Sequence, residues 1–242
     1  MAVINSQNNF KVLQWYKLKN KAQRDKQNLF IAEGFHLVAE AYKTGHLQEV
    51  ISTEKNTAFD VPTHQVTYEV MEKISSMATP AKLLGICRKK DDRPPKNNIL
   101  LVDQITHPGN LGTIIRSAAA FNVDTIVLNN SVDVYNPKVI QSTQGMIFHL
   151  NIIKRSIKDF ITELKQQNYQ IIGTDVKDGA DLRQVKADEK RAVLIGSEGD
   201  GVSDELLKMC DIKVNIKMNE KCESLNVGVA TSIILHSLTA KA

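Results

Sequence analysis

Three separated stretches of this 242-residue chain carry the side chains best suited to chemistry on a polar ligand. The first, QITHPGNLGTIIRSAAAF from Gln104, opens a helix in which Pro108 and Gly109 make a turn, Asn110 is a good N-cap and Gly112 allows close backbone approach. Arg116 sits about one and a half turns into it, where a guanidinium either faces solvent or lies beside an anionic partner. The second, VLIGSEGDGVSDELL, has Gly196, Gly199 and Gly201 punctuating a loop after a buried strand, with Glu198 projecting from it. A carboxylate there repels phosphate but tolerates a cationic ligand or anchors an arginine, and the loop is neither a GxxxxGK[ST] nor a GxGxxG motif. The third, KVNIKMNEKCESLNVGVATSIILHSL from Lys213, reads as a short strand, a polar loop with Glu220, Glu223 and Ser224, and an apolar helix from about Leu225. Ser224 is placed to cap that helix, leaving its first N–H groups, with Leu225 and Asn226, facing a small polar ligand. Taken alone, Ser and Asn at a helix start are ordinary caps.

The elements that must position these residues follow from hydrophobic period. LFIAEG, FHLVAEAYK, EVIST, YEVMEKISSM and LLGICR alternate short strands and helices, and imply a small α/β unit in the first third. In the opening helix region Val12, Leu13, Trp15, Tyr16 and Leu18 form a broad apolar stripe with lysines between. Arg88–Asn98, RKKDDRPPKNN, is the linker, because Pro94-Pro95 suits neither a helix nor a central strand, and it divides residues 1–93 from 94–242. Beyond it, strands ILLVD, TIVL, IFHLNII, IIGTD and VLIG alternate with helices LGTIIRSAAAF, NPKVIQSTQ and IKDFITELKQQ, which predicts a mostly parallel sheet. Ile157, Phe160, Ile161 and Leu164 recur at helical spacing behind Ser156 as cap. Ligands of such sheets gather at the carboxyl ends of the strands, where Thr174, Gly196 and Ile216 fall.

Composition narrows the class. With 42% hydrophobic and 24% charged residues the chain can bury a core, and no apolar run or signal-like start suggests a membrane, so a soluble, cytoplasmic protein is expected. Cys87, Cys210 and Cys222 match no metal-ligand or disulfide pattern, and no metal site is expected. The net charge of +4 is mild, but Lys11, Lys17, Lys19, Lys21, Arg24 and Lys26 face one acid, Asp25, and Arg88, Lys89, Lys90, Arg93 and Lys96 form a second cluster. Each is either a solvated face or a phosphate-binding patch.

HPGNLGTIIRSAAAF, IGSEGDGVSDELL and the SLNV of ESLNVGVATSIIL together resemble, in order and spacing, the three motifs of the SpoU (TrmH-like) RNA 2'-O-ribose methyltransferases of the SPOUT superfamily. LFIAEGFHLVAEA is similar to the substrate-binding domain that often precedes this catalytic domain, a fold like certain ribosomal RNA-binding proteins. The resemblance implies an α/β protein with a C-terminal parallel-sheet domain tied in a deep trefoil knot, preceded by a small α/β RNA-binding domain. It implies a homodimer binding S-adenosylmethionine in the knot, with Thr174, Gly196, Gly199, Ile216, Met218 and Leu225 as cofactor contacts. Arg116 becomes the principal catalytic candidate, surrounded by Asn110, Glu198, Ser224 and Asn226, with Glu198 orienting Arg116 and Asn226 helping to place the ribose. The expected substrate is structured RNA, ribosomal before transfer RNA, and no DNA. Two positions depart from the family pattern: Gly228 stands where Ser is common, and Lys217 where Pro is common. The alternatives are a tRNA ribose methyltransferase and a non-catalytic RNA-binding protein that keeps the fold; binding of S-adenosylmethionine separates the non-catalytic reading from an enzyme. A Rossmann nucleotide enzyme lacks its glycine fingerprint.

Overall fold

The computed structural model describes residues 3–55 and 58–239, which cluster into two compact units: 3–91 with Asp133–His149, and Asp92–Val132 with 150–239. The first unit opens with α1 (Phe10–Lys17) and α2 (Lys21–Gln27), whose caps Asn9 and Asn20 accept hydrogen bonds from Lys11 N and Ala22 N. Asn28, left-handed at φ 55°, ends α2 and turns the chain into β1 (Leu29–Glu33). There follow α3 (Phe35–Lys43), β2 (Leu47–Ser52), β3 (Thr63–Gln65), α4 (Tyr68–Ile74) and β4 (Leu83–Arg88). The sheet order is β1-β4-β2-β3, with β4 antiparallel to both neighbours and β3 parallel to β2. Val12, Trp15 and Leu18 are buried with Val70, Met71, Ile74 and Leu84. The stripe of α1 is narrower than its sequence suggests, because Leu13 and Tyr16 remain exposed.

In the second unit β5 (Asn98–Asp103), α5 (Pro108–Ala120) and β6 (Thr125–Asn129) form a parallel strand–helix–strand repeat, with Asn122 at φ 56° closing the helix. The chain then enters Asp133–His149, which holds α6 (Pro137–Thr143) and belongs to the first unit by its contacts, although its sequence suggests the second. The reason is burial: the Arg24 guanidinium, buried, donates to Asp133 Oδ2 at 2.6 Å, and Phe148 stacks on Phe30 at 5.9 Å. The expected strand over IFHLNII therefore divides. Gln144 and Gly145, both left-handed, lead into a 3₁₀ turn at Met146–Phe148, and only β7 (Asn151–Lys154) is strand.

The remaining elements are α7 (Ile157–Gln166), β8 (Gln170–Thr174), β9 (Ala180–Asp181), β10 (Arg191–Ile195), α8 (Asp204–Leu207), β11 (Ile212–Asn215) and α9 (Val227–Thr239). Every pairing in the seven-stranded sheet, ordered β7-β6-β5-β10-β8-β11-β9, is parallel. β5 and β10 are neighbours, and β8 and β11 follow them. Since all strands point the same way, the loops after β5, β10 and β11 emerge at one edge. That order brings the three chemistry-bearing stretches together. Among the described residues no helix is long and apolar enough to cross a membrane.

Candidate active site

Each of the three loops is shaped by its backbone. After β5, Gln104 adopts φ 56° and the chain is braced by the loop after β6, with Gln104 N donating to Asn129 O and Ile105 N to the Ser131 hydroxyl. Helix α5 then begins at Pro108, behind His107, rather than behind Asn110. Proline suits the first helical position, so the Pro-Gly pair expected to turn is already helical and Asn110 lies in the first turn. After β10, a tight hairpin pairs Ser197 with Gly201 through both backbone N–H groups, at 3.0 and 3.2 Å, and Gly201 takes φ 69°. Glu198 sits in this hairpin. After β11, residues 216–226 have no helix or strand, and α9 starts at Val227. Its cap is Asn226, whose Oδ1 accepts from Gly228 N at 3.0 Å and Val229 N at 3.4 Å. Ser224, expected as cap, stands exposed two residues before it.

One relay joins the three loops. Glu198 accepts from Asn110 Nδ2 at 3.1 Å, His107 N at 3.2 Å and Thr106 N at 3.4 Å. Asn110 Oδ1 accepts from Asn226 Nδ2 at 2.9 Å. The orientation of both amides follows from charge: a carboxylate only accepts, so Asn110 turns its NH2 to Glu198 and its oxygen to Asn226. Asn226 then presents its oxygen to the helix amides. Burial pushes the Glu198 carboxyl up, but the donors from Asn110, His107 and Thr106 outweigh it and hold the group below the usual carboxylate range. Its clamp is thus intact at neutral pH and is lost only as pH falls beneath that range.

Helices α5 and α9 meet at this relay and run parallel. Thr113 packs against Gly228, the Ser117 and Ser232 hydroxyls are 2.6 Å apart, and Phe121 meets His236 edge-on at 5.5 Å, each contact four residues beyond the last on both helices. Both N-termini, each carrying partial positive charge, therefore lie at the site. A Cβ on Gly228 would stand 2.9 Å from Thr113 Cγ2 and 3.2 Å from Asn226 Oδ1. Gly228 is the small partner of Thr113, which accounts for the missing serine. Gly228→Ser is expected to lower stability in urea by about 1–2 kcal/mol, as overpacking does, and Thr113→Ala in the same chain to restore at least half. An additive double mutant would refute the pairing.

The other sequence candidates separate into two groups. Thr174 ends β8, Gly196 follows β10, and Ile216, Met218 and Leu225 are half-buried beyond β11, all at the same edge; Gly199 is exposed with open space around it. Arg116 is exposed on α5 and makes no hydrogen bond or ion pair among the described residues. Glu198 thus does not orient Arg116 within one chain; its acceptor sites are taken by the loop after β5 and by Asn110. Thr106, His107, Thr113 and Asn215 were not singled out from sequence. The first two act chiefly through backbone N–H groups, which leave no residue signature, with the Thr106 hydroxyl adding a longer bond to Glu198 at 3.5 Å. Asn215 donates to Gly179 O at 2.6 Å while its buried Oδ1 has no partner among the described residues.

Asn110→Asp tests the relay. Two carboxylates would face each other, raising a folded-state pKa, so the variant's folded form binds an extra proton and its deficit grows as pH rises through that pKa. At pH 8 the expected loss is about 1–2 kcal/mol, reduced by solvent screening, and it shrinks by pH 5. A deficit independent of pH, measured by thermal melts, would refute the contact.

The family model described as SpoU rRNA Methylase family matches residues 97–236, which contain all three loops. The chain belongs to this family. A second model, described as MRM3-like substrate binding domain, matches residues 9–85. Among relatives of this SpoU chain, the 23S rRNA (guanosine(2553)-2'-O)-methyltransferase RlmP of Bacillus subtilis is 33% identical over 246 residues, spanning 98% of this chain and 99% of that one. An AdoMet-bound rRNA methyltransferase from Sinorhizobium meliloti superposes with TM-score 0.87 at 25% identity, over 99% of this chain and 97% of that one. A structure described as RNA 2'-O ribose methyltransferase gives TM-score 0.86 at 25% identity, over 99% of both chains.

Proposed function

We propose that this SpoU-family chain transfers the methyl group of S-adenosylmethionine to a ribose 2'-hydroxyl of ribosomal RNA, in the cytoplasm and as a homodimer. The relay from Glu198 through Asn110 to Asn226 carries the reading, because it locks three loops around one edge of the sheet. The site suits the cofactor: Ile216, Met218 and Leu225 offer half-buried apolar surface, and Asn215 Oδ1 is a buried acceptor without a donor among the described residues. Thr174, Gly196 and Gly199 line the same edge. When bound, the cofactor supplies a sulfonium-activated methyl group. The family's knot is in keeping with the strand order, in which the late strand β11 enters between the earlier strands β8 and β9.

The chain must then hold the hydroxyl in line and favour loss of its proton. Arg116 cannot serve as base, since a guanidinium stays protonated; it grips RNA phosphate and stabilises the developing alkoxide, whose proton passes to solvent water as the methyl group arrives. Glu198 is saturated with donors and is a poor base, so it holds Asn110 in place, while Asn226 and Ser224 lie beside the ribose. Arg116 shares its exposed row of α5 with Thr113, against which α9 begins, and Val229 and Ile233 of α9 are exposed apolar residues at helical spacing. This face supports the pairing of two copies with Arg116 at the seam. In the division of labour, residues 1–93 bind substrate and 94–242 carry out transfer. A 2'-hydroxyl restricts the reaction to RNA.

Incubation with methyl-labelled S-adenosylmethionine and separate protein-free ribosomal and transfer RNA fractions tests the reading. Label in a ribose of ribosomal RNA is expected. Label confined to transfer RNA would overturn the substrate, and cofactor binding without transfer to either would overturn the activity.

A further inference from the structure

Helix α1 leaves an aromatic row in solvent that the fold does not use. Phe10 is 73% exposed, Leu13 37% and Tyr16 45%, successive neighbours at three-residue spacing, while Val12 and Trp15 fill the core behind them. Large apolar side chains in such a row mark a contact surface. Its charge identifies the partner. Helix α1 has no acidic residue, and Lys11 and Lys17 flank the row. Asp25, the one acid between residues 3 and 28, is already bound by Lys21 and Lys89 at 2.6 Å each.

Two further ammonium groups are fixed beside Tyr16. Lys19 Nζ lies 5.1 Å and Lys73 Nζ 5.7 Å from the ring centroid. Lys19 Nζ donates to Lys73 O and Lys73 Nζ to Gln7 O, each at 2.8 Å. An ammonium has three donors, so each keeps free donors while its long side chain is already ordered, which lowers the cost of binding an anion. Rings that stay exposed beside anchored cations suit a strand whose bases have π-faces and whose backbone is anionic. A protein partner would answer the rings but would need a matching acidic row.

We propose that the exposed face of α1, with Lys73 from the end of α4 and away from that helix's exposed Glu69 and Glu72, receives an unpaired segment of the substrate RNA, its bases against Tyr16 and Phe10 and its phosphates on Lys11, Lys17, Lys19 and Lys73. The inference rests on the RNA-methylating reading and adds where the first unit engages the substrate.

The test uses the full chain and 23S rRNA transcribed in vitro. Tyr16→Ala is expected to raise KM for RNA about tenfold, within the range for loss of one stacked base, with kcat and cofactor affinity unchanged, and Tyr16→Phe to restore the parent KM. Lys11→Ala with Lys17→Ala is expected to reduce the slope of log affinity against log salt by about 1.4, the value for two single-strand phosphates. Ultraviolet crosslinking of a 4-thiouridine transcript is expected to mark residues 10–20. An unchanged KM for Tyr16→Ala in an active enzyme, or crosslinks only elsewhere, overturns the proposal and leaves the activity standing. A change of oligomeric state without a change of KM assigns the row to a protein contact and also overturns it. If the parent chain neither methylates nor crosslinks any RNA, the broader reading fails first.

Discussion

Arg116→Ala is expected to slow methyl transfer by about 10²–10³-fold, the range seen when a donor aimed at developing negative charge is removed. The side chain is exposed and has no hydrogen-bond or ion-pair partner among the described residues, so its removal takes nothing from the fold. Thermal midpoint and cofactor affinity should match the parent. Arg116→Lys keeps the charge but loses the planar fork, and should recover part of the rate while binding RNA with the parent's salt dependence. Full turnover and unchanged RNA affinity in Arg116→Ala would remove Arg116 from the mechanism. A collapse of the thermal midpoint would show a structural role instead.

Gly196→Ala is expected to abolish cofactor binding and turnover together. The new Cβ would stand 2.0 Å from both the carbonyl carbon and oxygen of Gly201 and 2.2 Å from Val202 N, all backbone atoms that no rotamer change can move. The Ser197–Gly201 hairpin would have to open, which carries Glu198 away from Asn110 and frees Asn226. A backbone displacement of this kind costs about 3 kcal/mol, the upper part of the overpacking range. The effect should appear in calorimetric titration with S-adenosylmethionine and in urea melts. Gly199→Ala is the control for stability, since its Cβ meets nothing within 4 Å and its urea midpoint should match the parent's. Equal behaviour of the two variants would show that hairpin closure is irrelevant.

Glu198 is the residue whose partners differ most from what its sequence setting suggests. Its loop, its glycines and its capping Ser203 are legible in GSEGDGVSDELL, because backbone demands for glycine and a hydroxyl cap are local. Its partner is not. An acid near an arginine suggests an ion pair, whereas Glu198 is filled by Asn110 and two backbone amides. The same limit explains the misplaced caps. Asn110 and Ser224 have the right chemistry, but Pro108 starts α5 earlier and Asn226, tied to Asn110, starts α9 later.

Short-range pattern determined the existence and type of most elements: α3 and β4 occupy the spans read from sequence, Ser156 caps α7, and the second half forms a parallel sheet. Local propensity and hydrophobic period act within a few residues, so they leave a trace in one chain. Joint spacing of the three motifs also pointed to the family. Only tertiary structure decided that Asp133–His149 packs with the first unit, that β10 lies between β5 and β8, and that Gly228 answers Thr113 across two parallel helices. Those outcomes depend on which distant surfaces bury one another and which buried donors find acceptors, and no window of sequence contains both partners.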